Sequence, residues 1–450
     1  MSVTKGEIGL KKVMQSELCN RCGSCVGLSG GRIRFGDREG RYLPEIVEEL
    51  EEPQYERIWK ACSGGVFHFP EYRGIFFKDA PLFHPYTGPY RGLYIGHATD
   101  PSLRAAGASG GILSTVLIYL LEQKRISGAV ITRMSPSTPW LTEPFIATTR
   151  EEILEGAQSK YILTSVNEIL DQMETFEGPL AYVGLPGQVQ SIRKLQAAGD
   201  PSVRNIRYIL GPFYGNTLQF SSVRSFLRSH GEKDHRAIRK LYFRYGEWPG
   251  SMRVEMTSGR VIELKKFHAN YLIPFHIVKN SLYCTDFTNE FTDISGGDAW
   301  APVYEQRGMG FSLVMGRSVQ GTALLEEMQK AGWLTLSPVS EKECIDMHSH
   351  GYDFKKRGAF IRMRFRRWKS KQVPDYGYEL KGFPARRILM EMVISTLFVV
   401  LGTRPARWVV EQFPPRFIGR LFERSRDQWK RSTHRIKREA LHNVTKQAEE

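Results

Sequence analysis

Gly107-Ala-Ser-Gly-Gly-Ile-Leu-Ser-Thr-Val-Leu-Ile-Tyr-Leu-Leu-Glu122 decides the fold class. Small, flexible residues run straight into an unbroken apolar stretch. That reads as a glycine-rich loop opening a helix that is buried on all sides. Outward from it the pattern alternates. Ser127 to Thr132 reads as a short strand, Ser165 to Phe176 as a helix, and Pro179 to Val183 as a strand. Gly187 to Ala198 reads as a helix and Asn205 to Leu210 as a strand. Helices alternating with short apolar strands predict an α/β fold with some α+β elements and mainly parallel strand pairing. Farther on, Met252-Arg-Val-Glu-Met256 and Val261-Ile-Glu-Leu264 flank Thr257-Ser-Gly-Arg260 and predict a hairpin. Residues 318–332 predict an amphipathic helix, and no internal repeat is visible.

The whole chain of 450 residues is 41% hydrophobic and 25% charged, which supports a substantial core and excludes general disorder. Its first residues have no apolar stretch of signal-peptide length, and no run of about 18 apolar residues occurs, so neither a secretory leader nor a spanning helix is expected. The net charge of +15 is unevenly placed: residues 355–450 hold 24 Lys+Arg against nine Asp+Glu, leaving 39 of each sign in residues 1–354. A neutral body argues against nucleic acid as partner. Three parts are expected: 1–90, irregular and Gly/Pro-rich, needing a metal centre to hold it; 91–354, the α/β body; and 355–450, a basic, partly helical extension.

Six cysteines occur, three of them within seven residues as Cys19-Asn-Arg-Cys22-Gly-Ser-Cys25. In a chain of this size such spacing points to a metal or cluster site in a reducing compartment rather than to disulfides. Two-residue spacers set thiolates at adjacent corners of an iron–sulfur cube. A ferredoxin-type fourth cysteine would fall near Ser29, so the fourth ligand must come from elsewhere, and Cys62 in Lys60-Ala-Cys-Ser-Gly-Gly65 is the nearest candidate. Structural zinc, which more often takes two separated ligand pairs, is the rival. Cys344 reads as an ordinary thiol.

Several short stretches, in order, resemble one family. They are Gly96-His-Ala-Thr-Asp100, Arg104-Ala-Ala-Gly-Ala-Ser-Gly-Gly111, Ser159-Lys-Tyr161, Gly184-Leu-Pro-Gly-Gln188, Gly211-Pro-Phe-Tyr-Gly215 and Asp286 to Trp300. Together they are similar to the beta subunit of hydrogenases and dehydrogenases that use the deazaflavin coenzyme 420. That family includes 7-hydroxymethyl chlorophyll a reductase and a ferredoxin-type divinyl reductase. The resemblance runs from about Cys19 to about Arg366. It implies FAD and a 4Fe-4S cluster, and electron transfer among cluster, flavin and either the deazaflavin or a small organic acceptor. The chain departs from the family at three of four cysteine positions. Relatives commonly carry cysteine where Gly187, Tyr214 and Ser281 stand here, and only Cys284 of that set remains. A second cluster is therefore not expected.

On this reading the metal ligands are Cys19, Cys22, Cys25 and Cys62. The cofactor-binding candidates are Ser109, Gly110, Gly111, Lys160, Tyr161, Gln188, Asp293 and Asp298. The glycine loop would present amides and a helix dipole to a pyrophosphate; a tight turn into a core helix is the plainer account. A cation at Lys160 would favour an anionic reduced flavin, with the Tyr161 ring over its face; a surface lysine beside a half-buried tyrosine is equally compatible. Gln188 could meet the ring edge or cap a helix. Asp293 and Asp298 could hold ribityl hydroxyls or stabilise a turn. No histidine has a pattern that marks a catalytic base. In the extension, Trp and Phe interleaved with Arg suit an anionic membrane surface, an acidic protein such as ferredoxin, or a packed extension. The expected function is an oxidoreductase passing electrons from a ferredoxin-like donor to an organic acceptor. Two alternatives remain: an electron-transfer subunit of a larger complex, and a non-redox scaffold that kept the fold. The expected location is cytoplasmic, with contact at the inner membrane face.

Overall fold

A computed structural model of the protein describes residues 5–305, 308–438, 441 and 445–448. Its centre is one eight-stranded sheet. In chain order the strands are β1 (Gly92–Ala98), β2 (Gly128–Met134), β3 (Thr142–Ala147), β4 (Leu180–Val183) and β5 (Ile206–Pro212). A separate three-stranded sheet follows, β6 (Ile238–Tyr245), β7 (Ser251–Met256) and β8 (Val261–Lys265). The large sheet resumes with β9 (Ile294–Asp298), β10 (Ser312–Gly316) and β11 (Leu334–Pro338). Its spatial order is β11-β1-β10-β9-β5-β4-β2-β3.

The sheet is mixed, which corrects the expectation of mainly parallel pairing. Only β9·β5, β5·β4 and β4·β2 are parallel. The other four pairs are antiparallel. The parallel strands β4 and β5 are joined by a crossover helix, as parallel pairing requires. The flanks return antiparallel: β2 feeds its neighbour β3 through a loop, and β9 reaches β10 past one helical turn, Pro302–Glu305.

Helix α1 (Ile112–Glu122) lies against this sheet and is buried from Thr115 to Leu120. Its apolar residues form one core with strand residues such as Ala129, Ala181, Leu210 and Val314. Gly111 starts it at φ +75°, and a Cβ there would sit 2.6 Å from the Leu103 carbonyl oxygen. Helices α2 (Arg150–Glu155) and α3 (Pro186–Ala197) follow the neighbouring strands.

Residues 1–90 hold helices Lys5–Gln15, Glu52–Ala61 and Phe69–Phe76, where an irregular segment was expected. Short helices interrupted by glycine and proline leave little periodicity to read. This segment shares one apolar core with the body: Leu10, Ile58 and Phe67 cluster with Leu170, Ile192, Phe291 and Phe360.

The basic region after residue 354 is not uniformly solvated. Lys355, Lys356 and Arg357 are completely buried. Arg357 and Arg387 both donate to Asp353, and Lys356 pairs with Glu290. Three helices follow, α4 (Ala385–Leu401), α5 (Arg404–Glu411) and α6 (Pro415–Arg438), and beyond them a short strand, Thr445–Ala448, pairs with Tyr378–Lys381. No single helix among the described residues is long and apolar enough to cross a membrane.

Candidate functional site

A cavity of about 480 Å³ opens between the large sheet and the three-stranded sheet. That volume is in the range of pockets holding organic ligands. The glycine loop and the first turn of α1 form one wall; Gly111, Ile112, Leu113 and Ser114 all line it. The dipole and free amides of a helix start therefore meet the cavity. Ser109 lines it with its hydroxyl 2.6 Å from that of Ser312. Gly110 does not line it: its N–H donates to Ser312 and its carbonyl accepts from Ala98, so it pins the loop to β1 and β10.

Lys160 lines the cavity, but its ammonium is engaged elsewhere. It donates to the carbonyls of Gly156, Ala157 and Gln158 at 2.6, 2.7 and 3.3 Å, just beyond the end of α2. Burial pushes its pKa down to about 7, while three carbonyls at a helix C-terminus favour the charged form. Tyr161 receives a hydrogen bond from Arg244 at 3.1 Å. Burial would raise its phenol, but Lys266 and Arg244 outweigh this and hold it below its ordinary value.

Asp298 lines the cavity at the end of β9. Arg244 donates to both of its carboxylate oxygens, at 3.2 and 2.8 Å, and Trp248 donates at 2.6 Å. These partners, with Lys266, hold it below the usual carboxylate range despite burial. Arg244 also donates to the Ala108 carbonyl at 2.6 Å. It thus ties the glycine loop, β9 and the three-stranded sheet together. No local feature marks this: Arg244 is one of two arginines on β6, and only the fold picks the one that turns inward. Lys266, 5.0 Å from the Trp300 ring centre, was likewise missed.

Gln188 caps α3. Its Oε1 accepts from the Leu185 N–H at 2.7 Å and its Nε2 donates to the Thr164 carbonyl at 2.6 Å. Asp293 is not at the cavity. Its carboxylate accepts from the Ile209 N–H at 2.8 Å and its backbone joins β5 to Arg317, so it secures a strand junction.

Cys19, Cys22, Cys25 and Cys62 line one small enclosed pocket, with Leu10, Met14 and Ile58 around them. Cys62 arrives there because it ends the helix Glu52–Ala61. Burial raises the thiols of Cys19, Cys25 and Cys62, Cys62 to about 12; at Cys25 the three neighbouring sulfurs raise it further. Two cations attend the pocket. Lys194 donates to the Cys62 carbonyl at 2.6 Å, and Arg21 to the Cys19 carbonyl at 2.6 Å. The Arg21 Nε is buried without a hydrogen-bond partner. Among the described residues, no three His, Cys, Asp or Glu side chains meet as closely as one bare ion would require. Ser29 is structural, its hydroxyl bonded to Val26 and Ile33.

A third small pocket joins these two. It shares Asn20 with the thiol pocket, and Thr164, Leu185, Gln188, Tyr214 and Thr217 with the large cavity. Gly187, Tyr214 and Cys284 line it, and Ser281 touches it through a 2.6 Å hydrogen bond to the Tyr214 hydroxyl. The four positions where the resemblance places cysteines therefore converge in space. Here they are filled differently. The Tyr214 ring lies under the Lys355 ammonium at 4.1 Å, and a Cβ on Gly187 would fall 2.5 Å from the Asn20 amide nitrogen.

The family described as "Coenzyme F420 hydrogenase/dehydrogenase, beta subunit N-term" matches residues 93–171, and the C-terminal part of the same coenzyme F420 hydrogenase/dehydrogenase family matches residues 178–342. Together they span more than half of the chain. The chain belongs to this family. The cavity and its Arg244–Asp298 wall lie inside the matched region; the four thiols and the last helices lie outside it. A coenzyme F420-dependent sulfite reductase of Methanocaldococcus jannaschii is 24% identical over 356 residues, 73% of this chain. The chain spans only 50% of that relative. The coenzyme F420 hydrogenase subunit beta of Methanosarcina barkeri is 24% identical over 265 residues, 57% of this chain and 85% of that protein. In fold, the chain is similar to one in the F420-reducing [NiFe] hydrogenase complex of M. barkeri. The TM-score is 0.52 at 19% identity, over 65% of this chain and 99% of the other.

Proposed function

We propose that this family member is an iron–sulfur flavoprotein oxidoreductase. A 4Fe-4S cluster would sit among Cys19, Cys22, Cys25 and Cys62, and FAD in the large cavity. The carrying observation is adjacency: one small pocket, lined by Asn20, Gln188 and Tyr214, borders both the four-thiol pocket and the cavity. The donor set fits the cluster. Four cysteines, an apolar lining and two cations suit an anionic inorganic cube. One tetrahedral zinc would instead draw the sulfurs to within about 4 Å of each other, and no such close group occurs among the described residues.

The cavity's volume, in the range of pockets for organic ligands, and its helix-start wall support a flavin there. A cluster supplies single electrons and a flavin pairs them for two-electron chemistry. The chain's own residues do the rest. The α1 start would hold phosphate through its amides. Lys160 fixes the turn beside Tyr161 by its three carbonyl bonds. Arg244 and Lys266 keep positive charge beside Tyr161 and Asp298, which favours an anionic reduced ring. The donor would be ferredoxin-like, the acceptor a small organic molecule or coenzyme 420. Relatives named as hydrogenase subunits support work inside a larger redox complex as a second reading. The filled pocket around Tyr214 supports one cluster and not two.

Anaerobic purification with iron, acid-labile sulfide and flavin analysis tests this. About four irons per chain and one extractable flavin are expected. Cys62→Ser should lower iron content and leave flavin in place. A colourless, iron-free chain refutes the proposal.

A further inference from the structure

Among the described residues, 23 large apolar side chains are exposed, and 11 of them lie between Leu389 and Leu421. Helix α4 shows why. It is amphipathic in the reverse sense. Arg387 and Glu391 are completely buried. Arg387 donates to Asp353 at 2.8 Å and to Glu391 at 2.8 Å, and Arg362 also pairs with Glu391. The opposite stripe is Leu389, Val393, Leu397 and Val400, exposed by 64, 44, 49 and 54%. Their spacing puts them on one helix face. A helix in water turns its charges outward and its apolar stripe to the core. This one does the opposite, so its outer face is built for an apolar neighbour.

The surface continues past α4. The chain bends by 76° into α5, where Trp408 is 64% exposed, and Phe413 and Phe417 follow at 45 and 57%. The charges around it are predominantly positive. Arg386, Arg404, Arg416, Arg420, Arg424 and Arg431 are exposed, and of the acids between 385 and 437 only Asp427 has a side chain more than a third exposed. Each acid there is paired: Glu411 with Arg228, Glu423 with His268 and Asp427 with Arg426.

We propose that the outer face of α4, α5 and the first turns of α6 is a docking surface for an anionic lipid bilayer. The surface lies in the interface and does not cross it. At 17 residues, α4 is about 25 Å long, short of the roughly 30 Å hydrocarbon core. Its inner face is a buried ion network that lipid cannot cover. Apolar groups rimmed by arginine match the acyl and headgroup layers of such a membrane. A second copy of the chain would instead bring one arginine rim against another. The surface is tied to the cavity wall: Arg407 donates to the Phe275 carbonyl at 2.7 Å, and His268 meets Glu423 at 3.1 Å. Lys266 and Ile273, neighbours of those residues, line the cavity.

The test is flotation of the purified full chain with phosphatidylcholine vesicles, with and without about 30% phosphatidylglycerol. The chain should float with the anionic vesicles and be released by salt. Arg416→Gln/Arg420→Gln should weaken binding about 30-fold, from roughly 1 kcal/mol per arginine. Leu397→Ser/Val400→Ser should weaken it by at least about tenfold. Both pairs are at the surface and should keep the parent's far-ultraviolet dichroism and melting temperature. The proposal is overturned if the parent does not float, if both double variants bind like the parent, or if the lipid-free parent is a dimer that Leu397→Ser/Val400→Ser converts to monomer.

Discussion

Replacing Arg244 with methionine should be among the most damaging single changes at the cavity. The Arg244 side chain is 1% exposed and donates to Pro249, Ala108, Tyr161 and both oxygens of Asp298. Methionine keeps much of the volume and removes every donor. Asp298 then stays as a largely buried carboxylate with only Trp248 and Lys266 to offset it. Breaking one partner of such a pair costs about 3–5 kcal/mol. Asp298 is 17% exposed at its side chain, so some water reaches it and about 3 kcal/mol is expected. Asp298→Asn removes the other charge but leaves Arg244 its carbonyls and phenol, and should cost about 1–2 kcal/mol. The double variant Arg244→Met/Asp298→Asn buries no charge, so its cost should fall at least about 2 kcal/mol below the sum of the two single costs. Urea unfolding of all four proteins measures this. An ultraviolet titration supplies a second readout, because the Tyr161 phenol should move upward once Arg244 is gone. Additive costs, or an Arg244→Met protein within about 1 kcal/mol of the parent, would show that the network does not hold the cavity wall.

Gly111→Ala should destabilise by about 1–3 kcal/mol, since φ is +75° and the new methyl meets a backbone carbonyl; melting curves report it. Gly187→Ala should cost about 1–2 kcal/mol by pressing on the Asn20 amide, and most of that loss should vanish in an Asn20→Ala background. Stability should also fall in acid. Burial lowers the pKa of His276 to about 3 and of His348 to about 4. Both stay neutral in the folded protein, while the unfolded chain takes up protons below about 6.5. The stability present above pH 6.5 is therefore lost as pH falls toward 4, about 2.5 kcal/mol per histidine by pH 4.5. His276→Asn should flatten that slope in urea titrations; an unchanged slope would exclude His276 as its source.

Much of this was legible in the amino-acid order. The loop before Ile112, the strands Gly128–Met134, Leu180–Val183 and Ile206–Pro212, and the hairpin of β7 and β8 follow local rules of periodicity and turn chemistry, whereas the antiparallel strand Thr142–Ala147 carried no such signal. Such rules act within a few residues. The Cys19–Cys25 spacing and the run of motifs from Gly96 to Trp300 likewise gave the family. The tail's positive charge was plain from counting.

Only the tertiary structure decided what depends on distant partners. It brought Cys62 beside three thiols some 40 residues earlier. It selected Arg244 to face Asp298, gave Gln188 to a helix cap, and set Asp293 at a strand junction away from the cavity. It made the sheet mixed, because pairing direction depends on how the chain returns and not on strand composition. It also turned the charged side of α4 inward and its apolar side out. A sequence records which residues a helix has; which face meets the protein is fixed by what packs against it.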